Sequence, residues 1–284
     1  MELNYRDMLV IIKSISLGVI MVTLGTGPWA VMVGLNVKHS PSIPWAAIVM
    51  PFYLWLYWKF AAGRTWPTSN ADARRNLCRA NAVSSDAWVT TMIAGLVGLW
   101  ALVQFQNVYA RLVTLPTGQA DDLSTIPMHT LIPSVIVSAV VAGVTEESAM
   151  RGYLQGPLEK KFGPVVAIVI TGAVFGLLHF THSEVNFTVM PWYLGVAIVY
   201  GAMAWKTNSI LPSMVLHAVG NMLSVVTVLG QGRPEWQPVG RPSLIWETGT
   251  DGAFWISVLV FFVLLTISIL AFRQVGKSGT NKGL

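Results

Sequence analysis

Acidic side chains are rare in this chain: 13 of its 284 residues are Asp or Glu, and charged residues of both signs make up only 11%. A water-exposed surface needs roughly a quarter of a chain charged, so an ordinary soluble domain is excluded. One cysteine, Cys78, excludes an intramolecular disulfide framework. It lies in a basic stretch with no His or Asp partner nearby and reads as inert. The net charge of +5 is not gathered into a dense Lys/Arg run with interleaved aromatics, which argues against a nucleic-acid partner. No segment reads His-Glu-x-x-His, so the most specific zinc-hydrolase signature is missing, although a metal gathered from separate helices is not thereby excluded. Internal repeats and low-complexity tracts are absent too.

What fills the chain instead is apolar: 54% hydrophobic residues, 12 Trp and a mean hydropathy of +0.59. Stretches of about 20 apolar residues, the length that crosses a bilayer as a helix, centre near Ile20, Tyr53, Ala94, Val137, Ile170, Ala197, Val219 and Val260. They predict an all-α fold, a polytopic transmembrane helical bundle of about eight spans forming one domain over residues 1–284. The run Met8 to Leu35 is too long for a secretion signal, holds Lys13 and lacks a small-x-small cleavage site, so it is read as a retained first helix. Basic residues fall unevenly between the spans. Twelve (Arg6, Lys59, Arg64, Arg74, Arg75, Arg79, Lys160, Lys161, Lys206, Arg273, Lys277, Lys282) lie on one side against four (Lys38, Arg111, Arg233, Arg241) on the other. The positive-inside rule then puts both termini in the cytoplasm. Lys59 to Ser85 reads as a basic loop, and Gly230 to Gly252 as a second loop with Trp236 and Trp246 resting at the membrane interface.

Against this background two adjacent acids, Glu146 and Glu147, end the apolar run that starts at Ser134. An ionisable group at membrane depth costs several kcal/mol unless it is paired or faces water, which makes it a functional-site hypothesis. Residues four apart on a helix share a face and neighbours diverge. Glu147 is therefore expected to pair with Arg151, leaving Glu146 as the free carboxylate. His179 shares a face with Phe175, which is expected to pack beside the site as a core aromatic, and His217 shares one with Asn221. A carboxylate, two imidazoles and an amide suit hydrolysis of a carbonyl compound: Glu146 as general base, His179 holding the same water, His217 and Asn221 donating to the oxyanion. Glu146, His179 and His217 would equally suit a zinc ion with an open water position, so the spacing leaves metal and glutamate mechanisms both open. The bland alternative is that each polar group makes a packing hydrogen bond between helices. His182 and Glu184 fall in a short loop and read as solvated.

Glu146-Glu147-Ser-Ala-Met-Arg151, Phe175-Gly-Leu-Leu-His179 and His217-Ala-Val-Gly-Asn221 resemble the Glu-Glu-x-x-x-Arg, Phe-x-x-x-His and His-x-x-x-Asn motifs of the CAAX prenyl endopeptidase and bacteriocin-processing (CPBP, or Abi) family of intramembrane proteases. The similarity covers about Val135 to Ser224. It implies an eight-span helical core and peptide-bond hydrolysis of a membrane-associated peptide or protein, with Glu146, His179, His217 and Asn221 in the catalytic positions and Glu147 and Arg151 supporting them. No cofactor is required in the glutamate version; zinc belongs to the other. Two readings from different classes stand beside it. A proton-coupled transporter would use the same Glu and His residues as a relay, but transporters show repeated hydropathy in matching halves. A catalytically idle scaffold would have less reason to keep every motif residue.

Overall fold

The computed structural model describes residues 4–116, 123, 125–181, 185–231 and 242–279. His182, Glu184, Arg233, Trp236, Arg241 and Lys282 lie outside the described residues. In chain order the helices are α1 (Tyr5–His39), α2 (Trp45–Ala61), α3 (Ala71–Cys78), α4 (Ser85–Tyr109), α5 (Met128–Glu147), α6 (Gln155–Phe162), α7 (Pro164–Leu178), α8 (Met190–Thr207), α9 (Leu211–Gln231), α10 (Ile245–Thr248) and α11 (Gly252–Gly279). No strand occurs among the described residues. The fold is all-α, and among the described residues six helices are long and apolar enough to cross a membrane: Tyr5–His39, Ser85–Tyr109, Met128–Phe162, Pro164–Thr181, Phe187–Thr207 and Gly252–Val275. The other two of the eight expected spans are the shorter α2, with 17 residues, and α9, whose apolar part is Leu211–Leu223. At 1.5 Å per residue α2 is about 26 Å long, slightly less than a hydrocarbon core of about 30 Å. This is an integral, multi-pass membrane protein.

Between α5 and α6 the backbone does not break. Ser148–Leu154 continues the helix in π geometry, so Met128–Phe162 is one rod. It ends at Gly163, whose φ of 80° is open to glycine at little steric cost, and Pro164 starts α7.

The chain divides into two compact units. One contains α1, α2, α3, the α5 to α6 rod, the first turn of α7, and α9 from Ser213 onward. Its core sets Trp29, Ala46, Met50 and Val141 against Trp45, Tyr53, Leu54 and Val137. The indole of Trp29 donates to Ser138 Oγ at 2.9 Å, tying α1 to α5. The second unit contains α4, α7 from Ile168, α8, α10 and α11. Without a hydrophobic drive between lipid-bathed helices, close packing needs small residues. At Gly195 a Cβ would stand 2.4 Å from Leu102 Cδ2, and at Gly98 one would stand 2.9 Å from Ser268 Oγ. Ser268 Oγ donates to Ala94 O at 2.9 Å.

The expectation that Lys59 to Ser85 is a plain basic loop needs correction. It contains a 3₁₀ turn (Thr68–Asn70) and α3, and Arg74 and Arg79 within it are buried. A buried guanidinium must have its donors satisfied. That of Arg74 donates to the carbonyls of Phe60, Thr65 and Pro67 and to Asn70 Oδ1, and lies 4.4 Å from the Phe60 ring centroid. Cys78, at the end of α3, is fully buried, and burial pushes its thiol up to about 12. It is therefore unreactive at neutral pH.

Candidate active site

Glu146 and Glu147 occupy the last turn of α5, and Arg151 lies inside the π segment. A turn closed by i to i+5 bonds is wider than an α turn, and residues i and i+4 come nearly into line. Arg151 Nη1 meets Glu147 Oε1 at 3.2 Å, and both side chains are completely buried. The expected pair is present. Glu147 has more partners than that pairing: His217 Nδ1 lies 2.9 Å from Oε1, and the Ser213 hydroxyl also bonds the carboxylate. A lone buried carboxylate would be expensive; the guanidinium of Arg151 compensates the charge of this one, and the imidazole of His217 bonds its Oε1.

His217 stands on α9, and its approach to Glu147 depends on Gly143. A Cβ there would be 2.8 Å from Met214 O and 2.9 Å from Ala218 Cβ, so α5 and α9 touch backbone to backbone one turn before Glu147. An ionised carboxylate has only lone pairs, so the Nδ1 beside Glu147 carries the proton and donates it. The ring's other nitrogen is thereby aimed: His217 Nε2 lies 3.7 Å from Glu146 Oε2. That distance is too long for a hydrogen bond. It suits one water at the apex of a triangle, about 2.8 Å from each atom. The Glu146 side chain is 16% exposed where that of Glu147 is 0%. One acid is thus locked and the other accessible. Asn221, a turn further along α9, is half-buried.

Phe175 and His179 are in the second unit. His179 opens a 3₁₀ turn at the end of α7, and its Nδ1 lies 2.8 Å from the carbonyl of Phe175. A carbonyl can only accept, so Nδ1 is the donor in this contact. The ring is held edge-on by Phe175, centroids 4.6 Å apart, and faced at 4.5 Å by Tyr193 of α8. Phe175 does pack beside the imidazole, as expected, and also orients it through its carbonyl. Within the units, then, Glu146, Glu147, Arg151 and His217 are brought together in one, and Phe175 and His179 in the other.

Ser213 and Tyr193 were not singled out by the sequence reading. Ser213 had a signal, since it precedes His217 by four residues and so shares its face. Tyr193 had none, because nothing local links it to His179. As for a metal, no group of three or more His, Cys, Asp or Glu side chains with ligand geometry occurs among the described residues. Glu146 and Glu147 face opposite nitrogens of one imidazole and cannot both join it on a single ion. Glu146 Oε2 and His217 Nε2 could act as two ligands of a zinc, whose tetrahedral neighbours stand about 3.3 Å apart.

Residues 128–223 match the family of type II CAAX prenyl endopeptidases, Rce1-like. That segment holds the whole α5 to α6 rod, α7, α8 and the described side chains of α9, and therefore every motif residue named above. The expected resemblance to CAAX-type membrane proteases is shown over it. A curated relative, the uncharacterized protein YyaK of Bacillus subtilis (strain 168), is 30% identical over 129 residues, covering 41% of this chain. The chain matches 42% of that relative's length, less than half. No solved structure matches.

Proposed function

We propose that the chain is an intramembrane endopeptidase that cuts a peptide bond in a membrane-associated peptide or protein with a water activated by Glu146. The observation that carries this is the arrangement around Glu147, which uses a buried carboxylate to fix one side of His217 and present the other toward a second, more accessible carboxylate. Structural ion pairs need no such second acid. In the reaction, Glu146 takes a proton from water as the oxygen adds to the scissile carbonyl carbon. The carbon to nitrogen bond then breaks, and the same proton passes to the leaving amine. His179, whose Nδ1 is committed to the Phe175 carbonyl, offers Nε2 as an acceptor to hold the water. His217 faces the developing oxyanion with Nε2, its Nδ1 being held by Glu147, and Asn221 supplies an amide N–H from the next turn. A zinc held by Glu146, His217 and His179 would supply Lewis acidity to the same carbonyl.

The test is cleavage by the full-length protein in liposomes, read by mass spectrometry with an internally quenched peptide ending in a prenylated cysteine motif and with an unprenylated control. Glu146→Gln keeps size and removes basicity. It should accumulate normally yet lose roughly a hundredfold to ten-thousandfold in rate, the worth of a general base. Substantial cleavage by Glu146→Gln rejects the reading. Stoichiometric zinc lost in both His179→Ala and His217→Ala would select the metal version, and full activity after exhaustive chelation the glutamate version.

A further inference from the structure

Arg79 is 72 residues from Arg151 in sequence, yet its guanidinium is spent on the π segment. Nη1 donates to the Arg151 carbonyl at 3.3 Å and pairs with Glu159 Oε2 at 3.0 Å, with only 6% and 11% of the two side chains exposed. The other Glu159 oxygen accepts from Gln155 Nε2 at 2.6 Å. Around these bonds the α3 region grips the rod directly. A Cβ on Gly152 would be 3.0 Å from the carbonyl oxygens of both Leu77 and Cys78, and one on Gly156 would be 3.1 Å from Arg79 Cδ. Tyr153 Oη donates to Ala61 O at 2.7 Å. Arg79 itself takes a left-handed backbone, φ 57°, as the residue that caps α3. That region is uncommon for a residue with a side chain. A glycine there would relieve the backbone but could not reach Arg151.

A π turn disturbs the regular ladder of backbone bonds, and carbonyls displaced from it need other donors. We infer that Arg79 is a positioning residue for the proposed site. It holds the π segment at the Arg151 carbonyl, and so sets where the Arg151 guanidinium meets Glu147 and how Glu147 orients His217. This rests on the hydrolase reading only for its catalytic consequence; the structural coupling from Arg79 to His217 stands by itself and is measured separately.

The experiment uses the full-length protein with ¹⁵N-labelled histidine, the His217 signals being assigned by their loss in His217→Gln, together with rates on the quenched prenylated peptide. Arg79→Ala should move the His217 Nδ1 signal and lower kcat about tenfold, the usual worth of an outer partner of a site residue, with KM changed by less than about twofold. Arg79→Lys keeps the ion pair to Glu159 and should return both readouts toward wild type. Glu159→Gln, which removes that pair alone, should produce the same signal shift in smaller measure. An unmoved His217 signal in a folded Arg79→Ala overturns the inference. If Arg79→Ala does not accumulate, an unmoved His217 signal in Glu159→Gln overturns it, and a shift there supports it. Should Glu146→Gln cut as fast as wild type, the hydrolase reading falls while the His217 signal still decides the role of Arg79.

Discussion

Glu146 and Glu147 differ by one position and by nearly everything that matters chemically. Their helix turns about 100° between them, so Glu147 points to Arg151, Ser213 and His217 and is sealed, whereas Glu146 stays accessible beside His217 Nε2. Breaking a buried pair costs more than forming it gains, because the survivor is left charged in a medium that cannot solvate it. Arg151→Ala should therefore cost about 3 to 5 kcal/mol, seen as a lower melting temperature in detergent and reduced folded yield, and it should depress peptide cleavage because Glu147 no longer holds the imidazole in register. A stable, fully active Arg151→Ala protein would refute the pairing role. Lysine is a poor substitute here, since its point charge cannot offer the planar fork that Arg151 presents while its backbone carbonyl is held by Arg79.

Among elements, the decisive one is the long rod from Met128 to Phe162. Its π segment carries Arg151 and meets α3, and its preceding turn meets α9. Glycine at 143 is what lets α9 come close enough for His217 to reach Glu147. In Gly143→Ala the new methyl would sit 2.8 Å from Met214 O, a backbone atom that cannot swing aside as a side-chain tip would. Such overpacking costs about 1 to 3 kcal/mol, and it should lengthen the contact between His217 and Glu147. The expected result is a lower melting temperature with a disproportionate loss of kcat. Unchanged turnover in Gly143→Ala would mean that the approach of α9 is not what sets the site.

At the scale of the whole molecule, the uneven distribution of basic residues underlies the orientation we propose, with both termini cytoplasmic. The chain carries its own silent background for testing it, because Cys78 is buried and its thiol is pushed up to about 12. Trp66 is 81% exposed and Trp246 is 69% exposed. A membrane-impermeant maleimide applied to intact cells should label Trp246→Cys at once and Trp66→Cys only after permeabilisation. The reverse pattern would invert the topology.

Much of this architecture could be read from the sequence, for a physical reason: a helix in lipid must satisfy its backbone within itself, so apolar length alone announces each span. Residues four apart on one helix share a face whatever surrounds them, and the pairing of Glu147 with Arg151 was legible for that reason. Partners on different elements were not. The choice of Glu147 as the acceptor for His217 Nδ1, 70 residues away, depends on how closely Gly143 lets two helices approach. The π turn, the face of Tyr193 on His179, and the burial of Arg74 and Arg79 in what reads as a basic loop have the same origin. Helical periodicity encodes the direction in which each side chain leaves its own axis; only tertiary packing decided what it met there, because that depends on distances between axes that no local spacing contains.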